Sequence, residues 1–288
     1  MMSAPTPIDL RSPRAWVSLA ILVAAYFLFD PLEALVHQPV AHAQNLHMIV
    51  DGAMALAPYT VLMVVRIMIL GVCVILQTPV RGFPLVGANI ARNTLLGIGI
   101  GLIVMVAAIS AIWLSGNARV APSSQSIHLM AFHGTGWFLA DFLGATGEEL
   151  FGRVAVLLVA ERFVGWRGAI VVSGLMFSVL HLGNPGASWI WILRLFLQGM
   201  LLAYAVYKTG SVWWSVGYHT GWNWASAPLF GAAGSGYLDQ GHLFDFTPTG
   251  PTLITGGTVG PEGSIFAFVA VLCALALFVA FTRDRTEA

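Results

Sequence analysis

The stretch "ATGEELFGRV", residues 145–154, places Glu148, Glu149 and Arg153 within a long apolar segment. Residues 127–145 before it are largely apolar, and "AVLLVA" follows directly. An ionisable side chain inside a membrane span costs about 2.5–3.5 kcal/mol on insertion scales, so such residues invite a functional hypothesis. The alternative is a structural ion pair, or a helix end that lies nearer the membrane surface.

The composition is that of a membrane protein. Of the 288 residues, 58% are hydrophobic and only 9% are charged, whereas water-soluble domains carry about 25% charged residues. Eight apolar stretches approach the roughly 20 residues that a spanning helix needs. Such continuous runs predict helices, because barrel strands alternate over shorter segments. The predicted fold is therefore all-α and polytopic, with about eight transmembrane helices near 16–36, 57–77, 94–114, 128–147 (running on to about 160), 168–182, 189–208, 211–231 and 264–281.

The Lys and Arg residues predict the orientation, because loops rich in them stay in the cytoplasm. They occur before the first span and in alternate loops, whereas the segments 37–56 and 232–263 contain none. Both termini are therefore expected in the cytoplasm, in a multi-pass protein of the plasma or inner membrane. Arg11, Arg14 and "AHA" at 41–43 also resemble a signal peptide, but the apolar run ends well before that site, which favours a retained first helix.

Three regions are expected along the chain: a three-helix flank at 1–125, a core of helices four to seven at 126–232, and an extracytoplasmic loop with the last helix at 233–288. The net charge is zero, so nucleic acid is not an expected partner. Cys73 and Cys273 fall inside predicted spans, where we expect small buried side chains and no disulfide.

Glu149 and Arg153 are four residues apart, so they can pair on one helix face. Adjacent residues point about 100° apart, which leaves Glu148 facing elsewhere. Burial of this second carboxylate would raise its pKa, as suits a base that cycles a proton near neutral pH. The same three side chains could also serve only to hold helix four against its neighbours.

Two further helices carry polar side chains: "FSVLH", 177–181, contributes His181, and "HTGWN", 219–223, contributes His219 and Asn223. Taken singly, each is better explained as a packing or interhelical hydrogen-bonding residue. Yet all of them, like Glu148, lie roughly 16–22 Å from the cytoplasmic ends of their helices, at about 1.5 Å per residue. This shared depth favours one site.

The chemistry of this set is hydrolytic. Glu148 can take a proton from water, while His181, His219 and Asn223 can stabilise an oxyanion or orient that water. A divalent metal such as zinc is an open alternative, because two His and one carboxylate are familiar zinc ligands; they would be Glu148, His181 and His219. The sequence has no HExxH motif that would force this choice.

The order "EELFGR" (148–153), "FSVLH" (177–181) and "HTGWN" (219–223) resembles the CPBP family, the CAAX-processing and bacteriocin-processing intramembrane proteases also called Abi proteins. The resemblance covers roughly 140–230. It implies an intramembrane endopeptidase in which Glu148 activates water, Glu149 and Arg153 support it, and His181, His219 and Asn223 line the cavity. The implied partners are a peptide or membrane-protein substrate and the lipid bilayer. The family has been described both as metal-dependent and as glutamate-dependent.

Other polar residues within predicted spans are Asp141, Arg194, His133 and Arg66, and we expect mostly structural roles for them. Asp141 and Arg194 are the ones expected to support the site, and Arg194 could pair with Asp141 or Glu149. Glu262 is expected to be a loop or helix-start residue.

Two other functional classes remain open from the sequence. A transporter or proton-coupled carrier also uses intramembrane Glu, His and Asp, although the sequence shows no inverted repeat. A non-catalytic immunity or scaffold protein could keep the same motifs for packing.

Overall fold

The computed structural model describes residues 9–28, 48–76, 84–85 and 89–283. Eight principal helices lie within these ranges: α1 Pro13–Phe27, α2 Leu56–Leu76, α3 Ile90–Leu114, α4 Ile127–Glu149, α5 Leu157–Leu180, α6 Trp189–Thr209, α7 Trp213–Trp224 and α8 Ile265–Arg283. The π-helical segments Leu150–Val156 and Ala225–Leu229 extend α4 and α7. Short helical turns lie at Thr252–Thr255, Gly257–Val259 and Pro261–Gly263.

The fold class is that of an all-α polytopic membrane protein. Four helical stretches of the described chain are long and apolar enough to cross a membrane: Ile90–Leu114, Ile127–Leu180, Trp189–Thr209 and Ile265–Thr282. Pro13–Phe27 and Leu56–Val72 are shorter apolar helices. The part of the first predicted span beyond residue 28, "AHA" at 41–43 and Arg81 lie outside the described residues.

The long stretch from 127 to 180 is not one straight helix. Gly165 has φ 68° and ψ 171°, a non-helical conformation that glycine adopts without steric cost. The chain therefore turns at Gly165, in the segment where Arg162 and Arg167 separate the fourth and fifth predicted spans. The two arms place Glu148 and His181 on neighbouring helices.

Helices α3 and α7 pack closely through four glycines. A Cβ added at Gly97 or Gly101 would meet the carbonyl oxygen of Trp214 or Tyr218, and one at Gly217 or Gly221 would meet a carbonyl oxygen of α3. Both helices thus use a G-x-x-x-G spacing, which lets backbones in membranes approach each other. This contact fixes α7.

Five short strands connect the loops at one end of the helices: β1 Ile49–Val50, β2 Ala53–Met54, β3 Ala118–Pro122, β4 Leu238–Asp239 and β5 Phe244–Pro248. Strand β2 pairs antiparallel with β1 and parallel with β4, and β3 pairs antiparallel with β5. We call this end, residues 48–55, 115–126, 181–188 and 230–264, the cap end.

The opposite end of the helices carries most of the basic residues, and we call it the basic end. There the Val212 amide donates to Pro84 O at 2.9 Å and the Trp213 indole donates to Leu85 O at 2.8 Å. Its described Lys and Arg positions are Arg11, Arg14, Arg92, Arg162, Arg167, Lys208 and Arg283.

One expectation about the cysteines is wrong. Cys273 is a free thiol that lies exposed on α8, because it belongs to a face of that helix on which Val269 and Leu272 are exposed as well. The side chain of Cys73 lies outside the described part of the structure.

Candidate active site

The two adjacent glutamates stand where α4 passes into the π-helical segment Leu150–Val156. A π-helical turn holds an extra residue, and such turns are frequent at functional sites. Ser173 of α5 donates its hydroxyl to the Gly152 carbonyl of this segment at 2.9 Å. The irregular turn is therefore held by the neighbouring helix.

Glu149 and Arg153 form a buried ion pair. Arg153 Nε lies 3.0 Å from Glu149 Oε2, and both side chains are 0% exposed. The pairing expected from their spacing is present. Charges so deeply buried are stable only when they are paired, since desolvation costs several kcal/mol per ion. Glu149 therefore has a structural role, because it forms the buried ion pair with Arg153.

His219 of α7 is tied to the same glutamate. Its Nδ1 donates to Glu149 Oε1 at 2.9 Å, across two helices. A hydrogen bond at one ring nitrogen fixes the orientation and tautomer of an imidazole. The other nitrogen, Nε2, therefore faces away from Glu149 and lies 4.0 Å from Glu148 Oε2.

His181, which directly follows α5, is oriented in a similar way. Its Nδ1 donates to the Phe177 carbonyl at 2.7 Å, and its Nε2 lies 4.0 Å from Glu148 Oε2. The two imidazoles thus direct the same kind of nitrogen toward one carboxylate oxygen.

Glu148 differs from its neighbour in exposure. Its side chain is 28% exposed, and it lines a cavity of about 460 Å³ together with His181, His219 and Asn223. Glu148 Oε2 has no hydrogen-bond partner among the described residues. A carboxylate with a fixed surrounding and an unshared oxygen can accept a proton from a bound molecule.

Phe177 packs in the middle of this group. Its ring centroid lies 4.7 Å from that of His181 and 5.8 Å from that of His219, and the Arg153 guanidinium carbon lies 4.3 Å from it. The ring therefore gives an apolar, cation-binding surface that separates Arg153 from the imidazoles.

The expected pairing of Arg194 is wrong. Arg194 Nη2 lies 3.0 Å from Glu262 Oε2, and Arg194 Nη1 donates to Gln198 Oε1. Glu262 lies in the first turn of the short helix Pro261–Gly263, a helix-start position as expected, but it is buried and also accepts from the Ser235 hydroxyl at 3.1 Å. This pair ties the cap end to α6, because long-range loop folding brings Glu262 over the helix.

The remaining polar residues divide between cavity and surface. Asp141 and Arg66 both line the cavity, and Asp141 is only 7% exposed. His133 lies apart, near the cap, where its Nδ1 donates to Gln125 Oε1 at 2.7 Å. The structure therefore brings Asp141, but neither Arg194 nor His133, to the same cavity as Glu148.

Sequence reasoning missed several cavity residues. Trp137 and Tyr59 come from helices, and Trp137 shares with Asp141 a four-residue spacing that could have been noticed. Ser235 and Asp239 come from the cap loop, where no helical period marks them. Burial raises the pKa of the Asp239 carboxyl from its ordinary value to about 7.

A zinc ion binds nitrogen and oxygen ligands at about 2.0–2.2 Å, arranged as a tetrahedron. Within the described ranges, no group of three or more His, Cys, Asp or Glu side chains is arranged to hold a metal ion. In this conformation Glu148, His181 and His219 are not placed to hold zinc.

Fold and site together define an intramembrane protein with a hydrolase-like polar cavity. Residues 130–225 match the family model of the type II CAAX prenyl endopeptidase Rce1-like proteins. No curated protein matches the chain, and no solved structure matches it. The resemblance of the central part of this chain to the CAAX-processing intramembrane peptidases is thereby confirmed, and the matched segment contains all three motifs.

Proposed function

We propose that this protein is an intramembrane endopeptidase that cleaves a peptide bond with water activated by Glu148. The single observation that carries the proposal is the position of Glu148 Oε2, at 4.0 Å from Nε2 of both His181 and His219. Separations of this size exceed a direct hydrogen bond and suit a bridging water. The family match supports the peptidase class.

The two glutamates would have separate roles. Glu149 is fully buried and bound to Arg153 and His219, so its position is fixed. The Glu148 side chain is 28% exposed and forms part of the cavity wall. A general base must reach the proton that it takes, and only Glu148 meets this condition.

The proposed reaction balances without a cofactor. Glu148 takes a proton from water, and the resulting hydroxide attacks the carbonyl carbon of the peptide bond. The carbonyl oxygen becomes an oxyanion, which the Asn223 amide and the protonated imidazole of His219 stabilise by donating hydrogen bonds, while Nε2 of His181 orients the attacking water. Glu148 then returns its proton to the leaving nitrogen, and the carbon–nitrogen bond breaks to give an acid and an amine.

The experiment compares wild type with two matched variants, Glu148→Gln and Glu161→Gln, each purified in nanodiscs and mixed with a quenched peptide library. Glu161 lies in α5 near the basic end, away from the cavity. Wild type and Glu161→Gln should cleave equally. Glu148→Gln should be slower by about 10²–10⁴-fold, the usual contribution of a general base.

A chelator arm tests metal dependence, and equal rates with and without chelator are expected of a glutamate-activated water. Cleavage by Glu148→Gln at close to the wild-type rate would refute the mechanism. Substrate flux through proteoliposomes that disappears in Glu148→Gln, without cleavage, would favour a transporter instead.

A further inference from the structure

The cavity that contains Glu148 is bounded by the cap end. Besides the helix residues, its wall includes Met54, Asn184, Ser235, Tyr237 and Asp239, all from the cap-end loops. Tyr237 is 40% exposed and marks the rim. Among the described residues that line the cavity, none belongs to the loops of the basic end.

A packed apolar core lies between the cavity and the basic end. It contains residues of α5, α6 and α7 and of the π-helical segment, each less than 10% exposed. Examples are Val154, Leu157, Val206 and Val212, with exposures of 0%, 1%, 1% and 0%. Water and polar chains cannot cross such a core cheaply, so the cavity is approached from the cap end.

The two ends differ in charge. In the described part of the chain, the cap end has Arg119 as its single Lys or Arg. Its acidic residues are Asp51, Asp239, Asp245 and Glu262. The basic end carries the seven Lys and Arg positions named above. Short loops rich in Lys and Arg remain in the cytoplasm, whereas Asp and Glu have little influence.

We propose that the cavity opens on the extracytoplasmic side of the membrane and that its substrates are peptide segments presented there. The identity of the substrates rests on the proposed peptidase function. The side on which the cavity opens does not depend on that function. The segment would be a secreted peptide, or the extracytoplasmic part of a membrane protein.

On this inference, the substrates of this protein differ from the prenylated CAAX proteins after which the matched family is described. A prenylated CAAX end anchors a protein to the membrane surface on which it was modified. A substrate that is prenylated in the cytoplasm and stays there would meet the basic end, where the core closes the approach. The same peptide-bond hydrolysis would then act on extracytoplasmic peptide segments instead of prenylated cytoplasmic proteins.

The test uses cysteine labelling, which needs no substrate. Cys73 and Cys273 are first changed to Ala, and single cysteines are introduced as Tyr237→Cys at the cavity rim, Thr249→Cys elsewhere in the cap end, and Lys208→Cys at the basic end. Thr249 and Lys208 are exposed positions that tolerate substitution. Sealed spheroplasts then receive a membrane-impermeant maleimide, before and after permeabilisation, and denatured protein gives the total label.

Cysteines at 237 and 249 should be labelled in sealed spheroplasts, and the cysteine at 208 only after permeabilisation. The reverse pattern overturns the inference and leaves the peptidase proposal intact. Label at 249 but not at 237, even after permeabilisation, would also overturn it, because the rim would then be closed to water.

A second measurement distinguishes failure of the inference from failure of the proposed function. A quenched peptide that purified wild type cleaves is added to right-side-out and to inside-out vesicles. Cleavage only by right-side-out vesicles supports the inference, and cleavage only by inside-out vesicles overturns it. If the purified protein cleaves no peptide, the proposed function fails, while the labelling pattern still decides on which side the cavity opens.

Discussion

Two buried ion pairs hold different parts of this molecule. Glu149–Arg153 lies within one helical stretch at the candidate active site, and Arg194–Glu262 joins α6 to a loop of the cap end. Both have N–O distances of 3.0 Å and both are almost fully buried. The first pair connects residues four apart, so sequence spacing reveals it; the second crosses 68 residues, so it depends on the whole fold. Similar chemistry thus positions the reacting groups in one place and the wall of the cavity in the other.

The largest effect is expected at the pair beside the site. Arg153→Met leaves the Glu149 charge buried without its partner, which should cost about 3–5 kcal/mol of stability. It should also abolish cleavage, because His219 is oriented by Glu149. Thermal unfolding in detergent and a peptide-cleavage assay measure the two effects.

The double variant Glu149→Gln/Arg153→Met should regain most of the stability but not the activity. Arg167→Met, at an exposed position near the chain turn, is the control and should change stability by no more than about 0.5 kcal/mol. A fully active double variant would show that Glu149 has no role in positioning His219.

A smaller effect is expected at the other pair. Glu262 keeps the Ser235 hydroxyl and the Trp191 indole as neighbouring donors when Arg194 is removed. Arg194→Met should therefore cost about 2–3 kcal/mol, near the lower end of the range for a broken buried pair. Because Ser235 lines the cavity, KM should rise while kcat stays close to that of wild type.

Steady-state kinetics on the folded fraction tests this comparison between the two pairs. A large fall in kcat for Arg194→Met, at an unchanged KM, would mean that this pair also orients the reacting groups. In that case the distinction drawn between the two regions would be wrong.

The smallest effect concerns Asp239 in the cap end. Burial raises its folded-state pKa to about 7, so the folded protein holds this proton more tightly than the unfolded chain. Stability should therefore fall as pH rises from about 4 to about 7 and stay low above that. Asp239→Asn should stabilise the protein by about 1 kcal/mol at pH 8, after allowance for solvent in the cavity, and by almost nothing at pH 4.

Thermal unfolding at both pH values measures the Asp239 effect, with Asp51→Asn, at an exposed position between β1 and β2, as control. An Asp239→Asn variant that is equally stabilised at pH 4 and pH 8 would show that the substitution acts through packing instead of charge.

Most of the helical architecture followed from the sequence because apolar runs of spanning length admit few other structures. The pairing of Glu149 with Arg153 followed from helix spacing. The closest helix contact was available but overlooked, since Gly97 and Gly101, and likewise Gly217 and Gly221, have the G-x-x-x-G spacing.

The cap end could not be derived in this way. Its strands have two to five residues and pair across long separations, as β2 does with β4. The sequence offers Asp141 and Glu149 of nearby helices as acidic partners of Arg194. In the structure the ion pair forms with Glu262, because the loop folds over α6. Contacts made by irregular backbone carry no periodic signal, so sequence spacing does not predict them.

The π-helical segment Leu150–Val156 has a consequence for how such a site arises and is lost. A π-turn differs from an α-turn by one residue, and one residue corresponds to a rotation of about 100° around the helix axis. Deleting one codon of this segment other than that of Arg153 would therefore rotate Glu148 and Glu149 away from His181 and His219, although every motif residue would still be encoded. A related gene that carries this deletion would keep the motif residues and yet encode an inactive protein. The spacing between the motifs therefore indicates activity better than the presence of the motif residues.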